Sequence, residues 1–219
     1  GMMGAARGMG GFGKACDISS LPTAELSDSE KSGILYMVEE EQMARDLYNA
    51  MFTKYGVQQF SNIAQSEQMH VDAVMQLVTR YNLTAPALTA GKYSNATLQQ
   101  TYDTLLAQGS KSLADALNMG GLVEETDIND LRTRMNDADN ADIQFVYSNL
   151  LRASQNHLRA YANQYTQQSG SAYTSQVLSA DEITQIMSQP QGRGMHAGQT
   201  GQPGQPGMMN GWGKQGGRR

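Results

Sequence analysis

Apolar residues recur at steps of three and four through most of the chain, and the informative positions are those where a polar residue completes an otherwise apolar face. Phe60, Ile63, Val74, Leu77 and Tyr81 share one helical face, and the positions that complete it are Glu67 and His70. Ile34, Met37, Ala44, Tyr48, Met51 and Tyr55 form a second stripe, whose missing step between Met37 and Ala44 is filled by Glu41. Packed face to face, these helices bring two carboxylates and an imidazole into one core. An unpaired buried carboxylate costs on the order of several kcal/mol, so a positive partner is expected, and a bound metal cation supplies it most simply. Neutralisation by protons, or by Arg45 or Arg152, is the metal-free alternative.

The same rhythm lays out the remaining elements. Ser27 and Glu30 have the spacing of a capping box and open a long helix that ends near Tyr55, where Gly56 provides the stop. A second helix follows from Val57 to Tyr81, and so short a connection makes the two an antiparallel hairpin. A shorter amphipathic helix is expected from Thr97 to Gln108, then a helical stretch from Ser110 to Asn136 with Gly120-Gly121 as the place for a kink. A fourth long helix runs from Asp139 to Gln167, and Ser179 caps a short terminal helix from Asp181 to Ser188. Nothing reads as a strand. The two long hairpins are joined by roughly 30 residues, enough for a crossover along the length of a four-helix bundle.

The hairpins also match one another. Glu41 and the Asp-Leu that follows it align with Glu125 and its Asp-Leu, and His70 aligns with His157, which predicts a pseudo-twofold site. Periodicity instead favours Glu124, four residues before Ile128, so either acid is a candidate. Glu39 and Glu40 turn to other faces and read as surface acids. Tyr48, Tyr147 and Tyr161 read as core aromatics whose hydroxyls can orient carboxylates, and Asp46, Asp127 and Asp130 as acids able to fix a histidine tautomer.

Composition separates this body from its ends. Of the 23 glycines in 219 residues, 16 lie in 1–13 and 192–217, so residues 1–20 and 190–219 are expected to be flexible tails around a folded body at 21–189. His196 in the second tail is at most a loose ligand. Residues 1–16 and 190–219 hold six basic residues and no acid, leaving ten basic and 21 acidic residues, a net −11, in between. That sign disfavours a nucleic-acid partner and suits a protein that attracts cations. No stretch has the length of apolar sequence needed to span a membrane, and the single cysteine, Cys16, cannot form an internal disulfide. The compartment stays open between a prokaryotic cytoplasm and export after removal of a leader upstream of Gly1.

Glu41 with Tyr48 seven residues on, and Glu67-Gln-Met-His70, resemble the first- and second-helix motifs of rubrerythrins, in the ferritin-like superfamily. More narrowly, Glu39-Glu40-Glu41-Gln-Met-Ala-Arg-Asp-Leu-Tyr48, Phe60-Ser-Asn-Ile-Ala-Gln-Ser-Glu67, Glu124-Glu125-Thr-Asp127-Ile and Ser154-Gln-Asn-His157-Leu-Arg-Ala-Tyr161 resemble the uncharacterised prokaryotic domain of unknown function 2202. The resemblance covers residues 25 to 168 and implies an all-α, ferritin-like four-helix bundle with a long crossover between helices 2 and 3. Di-iron members use a Glu from two helices and Glu-x-x-His from the other two. This chain has Ser154 where that pattern wants the last Glu. Ser154 can reach a ligand water or bond back to the turn before it, and the second role suits serine better.

The ligand set is therefore Glu41, Glu67, His70, His157 and one of Glu124 or Glu125, with Tyr48, Asp127, Ser154 and Tyr161 around it. It suits one iron, manganese or zinc ion, and two if water, Asp127 or a bridging carboxylate helps. The resemblance implies redox chemistry on peroxide, dioxygen or the metal itself. With no Cys-x-x-Cys pair, electrons must come from a separate partner. The competing expectation is a non-enzymatic helical interaction module, with a structural metal or none. A homo-oligomer is compatible with either.

Overall fold

The computed structural model describes residues 17–189, and among these every regular element is a helix. Of the tails expected at 1–20 and 190–219, residues 1–16 and 190–219 lie outside the described residues, whereas Ile18, placed in the first tail by composition, is buried against the core. The helices are α1 (Asp28–Tyr55), α2 (Gln58–Arg80), α3 (Ala96–Gly109), α4 (Leu113–Asp137), α5 (Ala141–Ser169) and α6 (Ala180–Ser188). The only extended pairing among the described residues is an isolated bridge between Thr89 and Lys92.

Local chemistry accounts for most of the boundaries. Ser27 accepts from the Glu30 amide at 3.1 Å while Glu30 accepts from the Ser27 amide at 2.9 Å, the reciprocal box that starts α1. Gly56, at φ 67°, gives α1 its left-handed exit and turns the chain into α2. Ser179 and Glu182 repeat the capping box at α6. The expected kink at Gly120-Gly121 is absent, and α4 runs unbroken through both residues. Their lack of a side chain serves packing instead: a Cβ would lie 2.7 Å from the Tyr161 ring at Gly120 and 2.5 Å from Tyr173 at Gly121.

The α1–α2 and α4–α5 hairpins pack on each other through α1 against α4 and α2 against α5. Between the hairpins, α3 lies across α1 and α4, and α6 rests on α5. Glu39 and Glu40, read from the sequence as surface acids, are both buried. Glu39 accepts from the backbone amides of Ser94 and Asn95, and Asp46 from the Gly91 amide and the Tyr93 hydroxyl, each of the latter at 2.9 Å. Two acids of α1 thereby hold the approach to α3 in place. A helix packed on several sides has no free face, so its charged residues turn inward wherever a backbone donor waits for them.

The apolar interior comes in separate clusters. One gathers Ile34, Met37, Val74, Leu77, Ile143 and Leu150. Another gathers Leu47, Tyr48, Phe60, Leu117, Met119 and Tyr161. Along α1, α2, α4 and α5 the residues dividing these two clusters are Glu41, Glu67 with His70, Glu124, and His157. A polar layer thus crosses the interior of the molecule.

Candidate metal centre

Each long helix contributes to this layer because the apolar stripe along it carries one interruption, and the packing brings the interruptions to one level. Glu41, Glu67, His70, Glu124 and His157 are all between 0 and 9 % exposed. They form two triads: the ligand atoms of Glu41, Glu67 and His70 lie within 4.8 Å of one another, and so do those of Glu67, Glu124 and His157. Glu67 belongs to both. Its Oε2 lies 2.6 Å from Nδ1 of His70 and its Oε1 lies 2.8 Å from Nδ1 of His157. The two imidazoles stack with ring centroids 5.6 Å apart.

The contacts differ from ordinary hydrogen bonds in a telling way. His70 Nδ1 is in hydrogen-bonding geometry with Glu41 Oε2 at 3.1 Å. At 2.8 Å from His157, Glu67 Oε1 nevertheless has no hydrogen-bond partner, nor has His157 Nδ1, nor Glu41 Oε1. At that separation the failure is one of direction: the carboxylate oxygen sits off the axis along which the ring nitrogen would donate. Donor atoms that crowd together without bonding one another suit a shared cation between them, so the residues fit a metal.

Electrostatics agree. Burial raises the Glu41 carboxyl to about 7, and the neighbouring Glu67 adds to this against the pull of His70. Burial would raise Glu67 too, but the two imidazoles outweigh it and hold this carboxylate below its usual range. Desolvation disfavours the imidazolium of His157, yet Glu67 and Glu124 together lift it to about 9. His70 is raised as well, by Glu67 and Glu41 against its burial. Without a metal, protons do the neutralising. Neither Arg45 nor Arg152 does: Arg45 bonds to Asp46 and Gln68, and Arg152 to Asn149.

The structure also separates Glu124 from Glu125. Tyr48 donates to Glu124 Oε1 at 2.5 Å, leaving Oε2 toward His157 Nδ1 at 3.5 Å. Glu125 points the other way, accepting from the Tyr173 hydroxyl and from the amides of Gln176, Val177 and Leu178. It anchors the segment before α6 and is no part of the triads.

Ser154 takes its expected backbone role, donating to the Leu150 carbonyl at 3.0 Å. Tyr161 packs on Tyr48 with centroids 5.1 Å apart, its hydroxyl without a hydrogen-bond partner. Tyr147 belongs to the cluster away from this layer's tyrosine pair. Of the three aspartates considered as histidine partners, Asp46 holds Arg45 and the approach to α3, and Asp130 accepts from Tyr36 at 3.2 Å. Asp127 is buried with its Oδ1 unpartnered and borders a small cavity rather than bonding an imidazole. The same cavity is bordered by Glu40, Glu41, Glu67 and Glu124. Sequence reasoning missed Glu40, which lies buried near Asp130 and Arg134 of α4, a non-local contact that no periodicity along α1 announces.

Comparison with known proteins places these residues within a matched region. The uncharacterized protein domain DUF2202 matches residues 30–190. An uncharacterized protein of Methanocaldococcus jannaschii, MJ0754, is 43% identical over 181 residues, which is 82% of this chain and 97% of that protein. The crystal structure of hypothetical protein MJ0754 from Methanococcus jannaschii superposes with a TM-score of 0.76 at 42% identity, covering 79% of this chain and 99% of the other.

Proposed function

From a chain that belongs to the uncharacterized DUF2202 domain family, we propose a ferritin-like four-helix metalloprotein whose polar layer holds two iron or manganese ions. The observation that carries this reading is Glu67, whose two oxygens face two different histidines. A carboxylate so placed can bridge two cations, with Glu41 and His70 completing one ligand set and Glu124 and His157 the other. Carboxylate and imidazole donors with two carboxylates per ion suit iron or manganese, and zinc to a lesser degree.

When bound, such a metal pair supplies the electron transfer needed to act on peroxide or dioxygen, or to be oxidised itself. The protein's part is to fix and shelter the ligands. Tyr48, its hydroxyl kept protonated by burial, holds Glu124 by one oxygen and so aims the other at His157. The apolar clusters on either side limit water. With a single cysteine in the sequence, reducing equivalents come from a separate donor.

Elemental analysis tests the reading. Protein purified without added metal is expected to carry about two equivalents of iron or manganese. The double variant Glu67→Ala, His70→Ala should retain neither. No bound metal in the native protein after reconstitution with iron and with manganese would overturn it. Metal without peroxide consumption would leave the centre structural, as in an interaction module.

A further inference from the structure

Beside the triads, between α1, α3 and α4, lies a cavity of about 20 Å³, room for one water-sized occupant. Five carboxylates border it, and three of them belong to the triads already described. The other two, Glu40 and Asp127, are 3 % and 5 % exposed, and each has an oxygen without any hydrogen-bond partner: Oε2 of Glu40 and Oδ1 of Asp127. Leaving an acceptor of this kind dry and unbonded is expensive, so two at one cavity call for an occupant with positive charge or protons to share.

No side chain provides it. Arg134 offsets the charge on Glu40 only in part, and Asp130, the acid nearest Glu40 in effect, adds negative charge rather than positive. The hydroxyl of Ser154, beside Asp127, is committed to the Leu150 carbonyl. Glu40 and Asp127 repel each other and are repelled by Glu41. They are also too dispersed to belong to either triad, so they do not simply enlarge the central ligand set.

We propose that Glu40 and Asp127 form an auxiliary cation site in this cavity, taking a single hard divalent ion of the Mn²⁺ or Fe²⁺ class, with the neighbouring carboxylates of Glu41 and Glu124 that also border the cavity completing its surroundings. Carboxylates alone make a weaker site for such an ion than carboxylates with imidazole. The inference stands apart from the central metal reading, since the cavity's unbonded oxygens would attract a cation even if the triads held protons.

The test is equilibrium titration of the full chain with Mn²⁺ alone, following free Mn²⁺ by electron paramagnetic resonance. The native protein should bind about three ions, the isosteric Glu40→Gln, Asp127→Asn variant about two, and Glu67→Ala, His70→Ala about one, weakly. Circular dichroism checks that each variant is folded, and should the first double variant not fold, Asp127→Asn alone must show the same loss of one ion. Equal binding by the native protein and the amide variant overturns the proposal. So does loss of every ion in the amide variant, which would make both acids part of the central centre. If the amide variant loses one ion while Glu67→Ala, His70→Ala binds as the native protein does, the auxiliary site stands and the central reading falls.

Discussion

Glu124 and Glu125 are adjacent glutamates, both buried, yet one faces the polar layer and the other holds a loop. Their exchange for glutamine should separate the two roles. Glu124→Gln is expected to lower metal content with little change in the stability of the metal-free protein. Glu125→Gln should leave metal content intact and lower stability by about 2 kcal/mol, because backbone donors at Val177 and Leu178 lose a charged acceptor. Denaturant titration beside elemental analysis reads both. Glu41, Glu67, His70 and His157 were legible in the sequence because each breaks an apolar stripe at its own periodic step. Glu124 against Glu125 was not, because α4 is covered on more than one side and periodicity describes only one of them. Tyr173 and the amides before α6, which decide the matter, are some 50 residues away in sequence.

At the level of elements, helix starts and stops were the most readable features, since caps act over three or four residues. Ser27→Ala removes the acceptor that begins α1 and should cost about 1 kcal/mol, measurable as a shift in the thermal midpoint. Glycines were less readable. In sequence Gly120-Gly121 reads as a helix kink, but in the fold it lets two tyrosine rings approach the α4 backbone. Gly120→Ala should therefore destabilise by about 1–3 kcal/mol despite alanine's better helix propensity, because its methyl would meet Tyr161. A stabilised variant by denaturant titration would contradict that account. The placement of α3 over α1 and α4 was likewise hidden, being set by Glu39 and Asp46 reaching out to the backbone of the crossing segment.

For the whole molecule, the polar layer makes stability depend on pH. Folding raises the proton affinity of Glu41 from 4.5 to about 7 and of His157 from 6.5 to about 9. A group shifted upward contributes stability that is complete below its unfolded value and is lost as pH rises through its folded value. Glu67, shifted downward, has the reverse effect and loses its contribution in acid. Chelator-treated protein should thus be most heat-stable near pH 4.5, lose the Glu41 contribution as pH rises toward 7 and that of His157 as it rises toward 9. Saturating Mn²⁺ should cancel that alkaline loss, because its ligands must give up their protons to bind. Thermal melts across this range, with and without metal, check both signs.

The two triads also differ in which parts of the chain they join. Glu41, Glu67 and His70 all lie in the α1–α2 hairpin, whereas Glu67, Glu124 and His157 span both hairpins. An ion in the first triad fastens a hairpin to itself. An ion in the second would tie the α1–α2 hairpin to the α4–α5 hairpin, so that the two could part only after it had left. Filling the second triad should therefore slow unfolding in denaturant far more than filling the first, which makes the lifetime of the folded chain a measure of metal supply.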